Sequence, residues 1–203
     1  MRKLLTATML VLLSWTLVAP HASAGEKQQS QFFYGTWKSH HRVDADTTII
    51  EYWSLDAYRS GSRSSAFIYH AAYRCTVSDG RRRCDRRSTE FGSDRGLAAD
   101  AFSVDRKLAG VHLDTTMKLY RHNEVVGTAV VAADLAGTGD VTRAKESYSY
   151  RQGCELYKFD GHSRYRDVNG LPSVTVDGTV RPLGDWRNAT IGVGRSLSIS
   201  KEC

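Results

Sequence analysis

VVGTAVVAADL, residues 125–135, carries no charge before Asp134 and has small apolar or β-branched residues at both parities. A run of this length, with His122-Asn123 before it and Gly137-Thr138-Gly139 after it, reads as a strand buried on both faces. Its partner is the stretch 111–120, where Val111, Leu113, Met117 and Leu119 alternate with His112, Asp114, Thr116 and Lys118. A two-residue turn at His122-Asn123 sets Leu119 opposite Val126, Met117 opposite Thr128 and Leu113 opposite Ala132. One face of this hairpin is then almost wholly apolar, which marks the centre of an all-β core.

Outward from this hairpin the chain keeps a period of two in short pieces. The first strand is 32–37, Phe32-Phe33-Tyr34-Gly35-Thr36-Trp37. The segment 47–58 has Ile49, Trp53 and Leu55 on one parity and Ile50, Tyr52 and Tyr58 on the other. Segments 66–77 and 84–91 flank Asp79-Gly80, and 143–151 and 154–159 flank Gln152-Gly153. In the second of these hairpins Tyr148 faces Tyr157, with Tyr150 and Phe159 on the same side, and that side is expected to face the core. Segments 101–105, 173–180 and 190–200 complete about ten strands, while 92–100, 160–172 and 183–188 read as loops. No segment has helical periodicity. The expectation is an all-β fold, an antiparallel sandwich, with a closed or partly open β-barrel as the alternative.

The N-terminus sets the compartment. Arg2-Lys3 is a basic lead, residues 4–19 are uncharged and apolar, and Ala22-Ser23-Ala24 forms a small-residue cleavage site. Residues 1–24 are therefore expected to be a Sec signal, 25–31 a polar lead-in, and 32–203 a single domain, secreted to the extracellular space. No transmembrane segment is expected after cleavage, because no second long apolar run follows. Removing 24 of the 203 residues leaves 179, and it takes away two of the 28 basic residues and none of the 22 acidic ones, for a mature charge of +4. That mild charge allows attraction to an anionic cell-wall polymer or glycan but does not call for a specific nucleic acid.

Cys75, Cys84, Cys154 and Cys203 all lie in the mature chain, as an oxidising destination favours. Asp79-Gly80 is a type I′ turn signal, and counting outward from it places Cys75 opposite Cys84 at a non-hydrogen-bonded site. The Cα atoms at such a site lie ~4.5 Å apart, within reach of a disulfide. Cys154 with Cys203 follows by elimination, giving two disulfides. The same register sets Asp85 opposite Arg74 and Arg86 opposite Tyr73.

The densest charge is Arg81-Arg82-Arg83-Cys84-Asp85-Arg86-Arg87. Alternation puts Arg82 and Arg86 on the Cys84 side. Arg81, Arg82 and Arg83, at the hairpin tip, are a candidate anion-binding group for phosphates or anionic glycans. The plainer reading is a solvated edge that deters strand association. Residues 160–167 read by default as a solvated loop, with His162, Arg164, Tyr165 and Arg166 as candidate contacts if it binds a ligand. Catalysis finds little support, since the chain holds no H-E-x-x-H, no H-x-H and no G-x-S-x-G. His112 and Asp114 share a strand face, but two ligands do not make a metal site. No cofactor is implied.

Two stretches, AFSVDRKLAGVHLDTTMKL at 101–119 and VVAADLAGTGDVTR at 130–143, resemble a loosely defined group of secreted actinobacterial all-β proteins without assigned activity. The resemblance implies secretion and an all-β domain, and supplies no site residues. Gly35-Thr36-Trp37 is similar to the G-x-W that opens lipocalins and avidins. It spans three residues, and a Trp plugging one end of a β core is the favoured reading. The expected function is a non-enzymatic extracellular binding or surface-associated protein. The alternative is a secreted hydrolase with a dispersed site, which would gather carboxylate, histidine and serine side chains in one place.

Overall fold

The computed structural model describes residues 26–152, 155–184 and 186–201. The signal segment 1–24 and the expected Cys154–Cys203 bond lie outside the described residues. Eleven strands follow one another without a helix among the described residues: β1 (Glu26–Arg42), β2 (Thr47–Ser60), β3 (Arg63–Ser78), β4 (Arg81–Asp94), β5 (Phe102–Val104), β6 (Gly110–Arg121), β7 (Glu124–Gln152), β8 (Glu155–Asn169), β9 (Ser173–Val176), β10 (Thr179–Val180) and β11 (Trp186–Lys201). Neighbours run in the order β10-β9-β7-β8-β11-β1-β2-β3-β4-β6-β5, and β6 also pairs with β7. The order therefore returns on itself through eight strands, from β7 by way of β8, β11, β1, β2, β3, β4 and β6. One antiparallel sheet is the expected all-β architecture, with eleven strands against the expected ten or so.

The described residues gather into two units. The larger comprises Gln28–Ala144 and His162–Arg195, and its core is built from alternate residues of each strand. Phe33 and Trp37 enter from β1, Trp53, Leu55 and Ala57 from β2, Ala66 and Ile68 from β3, and Leu113, Met117 and Leu119 from β6. Each Phe, Leu, Ile or Met among them contributes about 1.5–3 kcal/mol when taken fully out of water, and each Ala less. In the smaller unit, which holds Lys145–Gly161, Tyr148 stacks on Phe159 and Tyr150 on Tyr157, with ring centroids 4.9 Å apart in both pairs. These partners differ by two residues from the expected Tyr148–Tyr157 pair, and Tyr148 and Tyr150 are exposed where a core position was expected.

The Asp79-Gly80 hairpin keeps the register expected of it. Cys75 pairs with Cys84, Arg74 with Asp85 and Tyr73 with Arg86, and the Cys75–Cys84 disulfide is formed. Both turn residues have positive φ, 51° and 70°, as a type I′ turn requires. The 122–123 turn forms as well, but a bulge between Leu119 and Tyr120 slips the ladder beyond it by one residue. Leu119 therefore faces Gly127, Met117 faces Ala129 and Leu113 faces Ala133. The slip decides which side of β7 is buried. Ala129, Val131, Ala133 and Leu135 turn inward, while Val126 and Val130 are exposed, so the 125–135 run is buried on one face only.

Other boundaries differ from expectation: β7 runs unbroken through 136–142, and β11 takes in 186–188 of the expected 183–188 loop. Residues 160–169 belong to β8, where Asp160, His162 and Arg164 alternate with half-buried neighbours between β7 and β11. Backbone pairing on both edges satisfies the chain there without apolar side chains. Residues 26–31 are part of β1, with Ser30 and Gln31 laddered to Ser60 and Arg59. β4 runs on to Asp94. The segment 173–180 is a hairpin, β9 and β10, turned at Asp177-Gly178 with φ of 48° and 78°.

The two stretches that carry the family resemblance meet in space. Phe102, Val104 and Leu108 are core residues, and the Asp105 carboxylate accepts hydrogen bonds from the Lys107 and Ala109 amides at 2.7 and 3.2 Å. The Gly137 amide donates to Ala109 O at 2.8 Å, and a Cβ on Gly137 would lie 2.0 Å from Leu108 O. Both phrases are thus explained by packing and turn geometry.

Candidate functional site

The residues singled out from sequence do not converge. Arg81, Arg82 and Arg83 are all exposed at the start of β4, and Arg83 Nε lies 3.5 Å from Asp85 Oδ1 on the same strand. His162, Arg164, Tyr165 and Arg166 lie on β8, and two of them brace the backbone. Arg164 donates to Arg106 O at 3.0 Å, and Arg166 Nε to Gly139 O at 2.8 Å. His112 Nδ1 contacts its cross-strand partner Asp134 at 2.7 Å, while Asp114 pairs with Ala132. An open hollow lined by Thr138, Asp167, Val168, Asn169, Asn188 and Ala189 offers one carboxylate, two carboxamides and no basic side chain.

Two constellations stand out instead, one on each side of the sheet formed by β1, β2, β3, β4 and β6. Registers across these strands generate the outward rows. Tyr120, Phe91, Tyr69, Ser54 and Thr36 form one row; Ser93, Phe67, Asp56 and Tyr34 the next; Thr89, Ala71, Tyr52 and Lys38 lie on the other side of the first. Neighbouring strands are ~4.8 Å apart, so these rings tile a continuous surface. Phe91 is 47% exposed, Phe67 41%, Tyr69 40% and Tyr52 36%, too open for core residues.

Ring contacts hold this surface in place. Phe91 stacks on Tyr120 with centroids 5.7 Å apart, and Tyr52 meets Tyr73 edge-on at 5.7 Å. Lys38 Nζ sits 5.2 Å from the Tyr52 centroid and the Arg86 guanidinium 5.8 Å from that of Tyr73. Phe32 continues the surface towards β11. A Cβ on Gly192 would lie 2.1 Å from its ring, so only glycine lets that ring lie against the strand.

Asp56 sits among these rings, half-buried, with the Ser54 hydroxyl 3.3 Å from Oδ2. Burial pushes its carboxyl up to about 6, against the Ser54 hydrogen bond. Burial likewise raises the Tyr34 hydroxyl above its ordinary value, helped by the charge of Asp56. A carboxyl displaced by burial beside exposed rings makes this face a candidate functional surface.

The inward constellation is a row of Trp37, Trp53, His70 and Glu90, with the Arg121 side chain reaching Glu90 from β6. His70 is buried and stacks on Trp53 with centroids 4.0 Å apart. Its Nε2 lies 3.4 Å from Glu51 Oε1 and its Nδ1 3.5 Å from Glu90 Oε2, contacts that become ion pairs when the imidazole is protonated. Arg121 Nη2 donates to Glu90 Oε1, and the Ser39 hydroxyl lies 3.4 Å from Glu51 Oε2. The imidazole holds the Glu51 carboxyl below the usual carboxylate range, outweighing burial, with Ser39 and Arg181 acting in the same direction. Among the described residues no three His, Cys, Asp or Glu side chains are placed to hold a metal ion.

Sequence reasoning missed both groups. The inward one joins residues 51, 70, 90 and 121, with no motif spacing to connect them. The outward one is visible only once the ladder fixes which parity faces solvent. No family model, curated protein or solved structure matches the chain.

Proposed function

We propose that this is a secreted, non-enzymatic extracellular binding protein that meets its ligand through the outward aromatic face of β1–β4 and β6. The observation that carries this reading is the set of exposed rings at Tyr52, Phe67, Tyr69 and Phe91, tiled around Asp56 and Ser54. Large exposed apolar patches rimmed by polar groups mark interaction sites. The Cys75–Cys84 disulfide is compatible with an extracellular protein, and no helix among the described residues is long and apolar enough to cross a membrane. Membership of the actinobacterial group suggested by residues 101–119 and 130–143 belongs to the same proposal.

The hydrolase reading has one specific observation behind it, the chain Ser39–Glu51–His70–Glu90. Its geometry argues against the role. The Ser39 hydroxyl contacts Glu51 rather than the imidazole, and both ring nitrogens face carboxylates. On the outward face, from Ser30 onward in β1 and along β2–β4, Asp56 is the one carboxyl at the described outward positions, whereas glycoside hydrolysis works with a pair.

A glycan array probed with the mature protein and with the double variant Tyr69→Ala/Phe91→Ala tests the proposal. Binding by the wild type that the folded variant loses supports it. Binding that survives in the variant rejects this face. Turnover of ester or glycoside substrates that His70→Gln abolishes establishes the hydrolase instead.

A further inference from the structure

The outward positions of β1–β4 are unbalanced in charge. From Ser30 onward in β1 and along β2–β4, they carry Lys38, Arg42, Arg63, Arg82 and Arg86 against a single carboxyl, Asp56. Arg42 is tied to the β1–β2 turn through the carbonyls of Asp44 and Ala45. Lys38 and Arg86 are different: neither is in an ion pair among the described residues, and each is seated over a tyrosine ring of the Tyr52–Tyr73 pair. A cation held over a ring face keeps its remaining N–H groups directed away from that ring, ready for an acceptor. The basic hairpin adds Arg82, which shares the Cys84 side with Arg86. Beside these cations lie open rings and the hydroxyls of Ser54 and Ser93.

Taking this face to be the binding surface, we propose that its ligand is a polyanionic polysaccharide: sugar rings lie on Tyr69, Phe91, Phe67 and Tyr52 while Lys38 and Arg86 receive the acid groups. Charge complementarity makes the choice. A neutral chain would use the rings and leave the cations idle, and a polyanion without sugar rings would use the cations and leave the rings idle. A second copy of this chain would bring like charges together across the aromatic rows.

The test uses the mature full chain and three probes, polygalacturonate, neutral dextran and polyglutamate, each titrated at low and moderate salt. Polygalacturonate is expected to bind best, with affinity falling as salt rises. Tyr69→Ala/Phe91→Ala should weaken it roughly tenfold, at about half a tenfold step or more per ring. Lys38→Gln/Arg86→Gln should weaken it by a similar factor and flatten the salt dependence, with the melting temperature of both variants close to wild type. Equal binding of dextran, or a charge variant with unchanged salt dependence, overturns the anionic assignment while the face itself survives. Equal binding of polyglutamate overturns the need for sugar rings. Polygalacturonate binding untouched by the aromatic variant overturns the face, and with it the function proposed above. A dimer in sedimentation that the aromatic variant dissolves makes a second copy the occupant and also overturns the inference.

Discussion

Replacing Asp56 by Asn tests the electrostatics of the outward face. The carboxyl titrates near 6 in the folded chain, raised by burial from an ordinary value of 3.8. A raised carboxyl holds its proton more tightly when folded, so the native state binds more protons than the unfolded chain between those two values. Stability is then complete below about pH 4 and is lost as pH rises through 6. At about 1.4 kcal/mol per tenfold change, the full displacement corresponds to ~3 kcal/mol of destabilisation at neutral pH. Asp56 keeps some solvent contact, so about 1–3 kcal/mol is the working range. Asn keeps the shape and a partner for Ser54 but never ionises. Asp56→Asn is therefore expected to be more stable than wild type by about 1–3 kcal/mol at pH 7.5 and equal to it at pH 4. At ~2–4 °C per kcal/mol for a domain of this size, the melting point should rise by several degrees at pH 7.5. Urea unfolding followed by tryptophan fluorescence, in steps from pH 4 to 7.5, reads both quantities. A stability difference that does not change with pH, or a variant weaker than wild type at pH 7.5, would refute the reasoning.

Three other outcomes follow from the same geometry. His70→Phe should keep the stack on Trp53 but leave Glu51 and Glu90 without their shared imidazole, lowering stability by about 1–3 kcal/mol at pH 7. Glu51 has its carboxyl depressed in the wild type, so its contribution is present above its ordinary value of 4.5 and lost as pH falls through the folded value; acid unfolding of the variant should begin at higher pH. Gly192→Ala should force the Phe32 ring off β11 and lower stability by about 1–3 kcal/mol in thermal unfolding, with an altered Phe32 environment by NMR. Cys75→Ser/Cys84→Ser removes a bond spanning nine residues of sequence already closed by the Asp79-Gly80 turn, so the loss should stay below about 3 kcal/mol by denaturant unfolding.

How far the sequence could be read depended on how local each determinant is. Asp79-Gly80 fixes its own hairpin, so the register from Ser78–Arg81 out to Tyr73–Arg86 was legible and the disulfide with it. The 122–123 turn was equally legible, yet the bulge beside it was not. Two residues of β7 share the place of one on β6, and nothing in Leu119-Tyr120 announces that. The cost of missing it is a whole strand face, since Val126 and Val130 point to solvent instead of the core. Charge misled at 160–169, because a strand flanked by two others needs neighbours for its backbone and not an apolar face. At 173–180 the Asp177-Gly178 signal was present, and the flanking Val174, Val176 and Val180 masked it as one strand.

The candidate surfaces were hidden for a related reason. Strand β2 carries apolar residues at both parities, and that pattern reads as burial on both faces. Its true arrangement is inverted in part: Glu51 joins the inward side with Trp53, while Tyr52 looks out. β3 and β4 repeat the inversion, with His70 and Glu90 inside and Tyr69 and Phe91 outside. Folding alone would favour the opposite assignment, since burying Tyr69 and Phe91 and solvating Glu90 would each be favourable. Three adjacent strands that depart from the amphipathic rule in register are not an accident of one residue. The inward departure is compensated within the fold by Arg121 on Glu90 and by His70 between the carboxylates. Among the described residues, the outward departure is compensated only in part, by the Phe91–Tyr120 and Tyr52–Tyr73 ring contacts and by Lys38 and Arg86 over tyrosine rings. Rings left open at four positions on adjoining strands gain further burial only when something is laid across them, and that asymmetry is why the outward face, and not the histidine row, is proposed for binding.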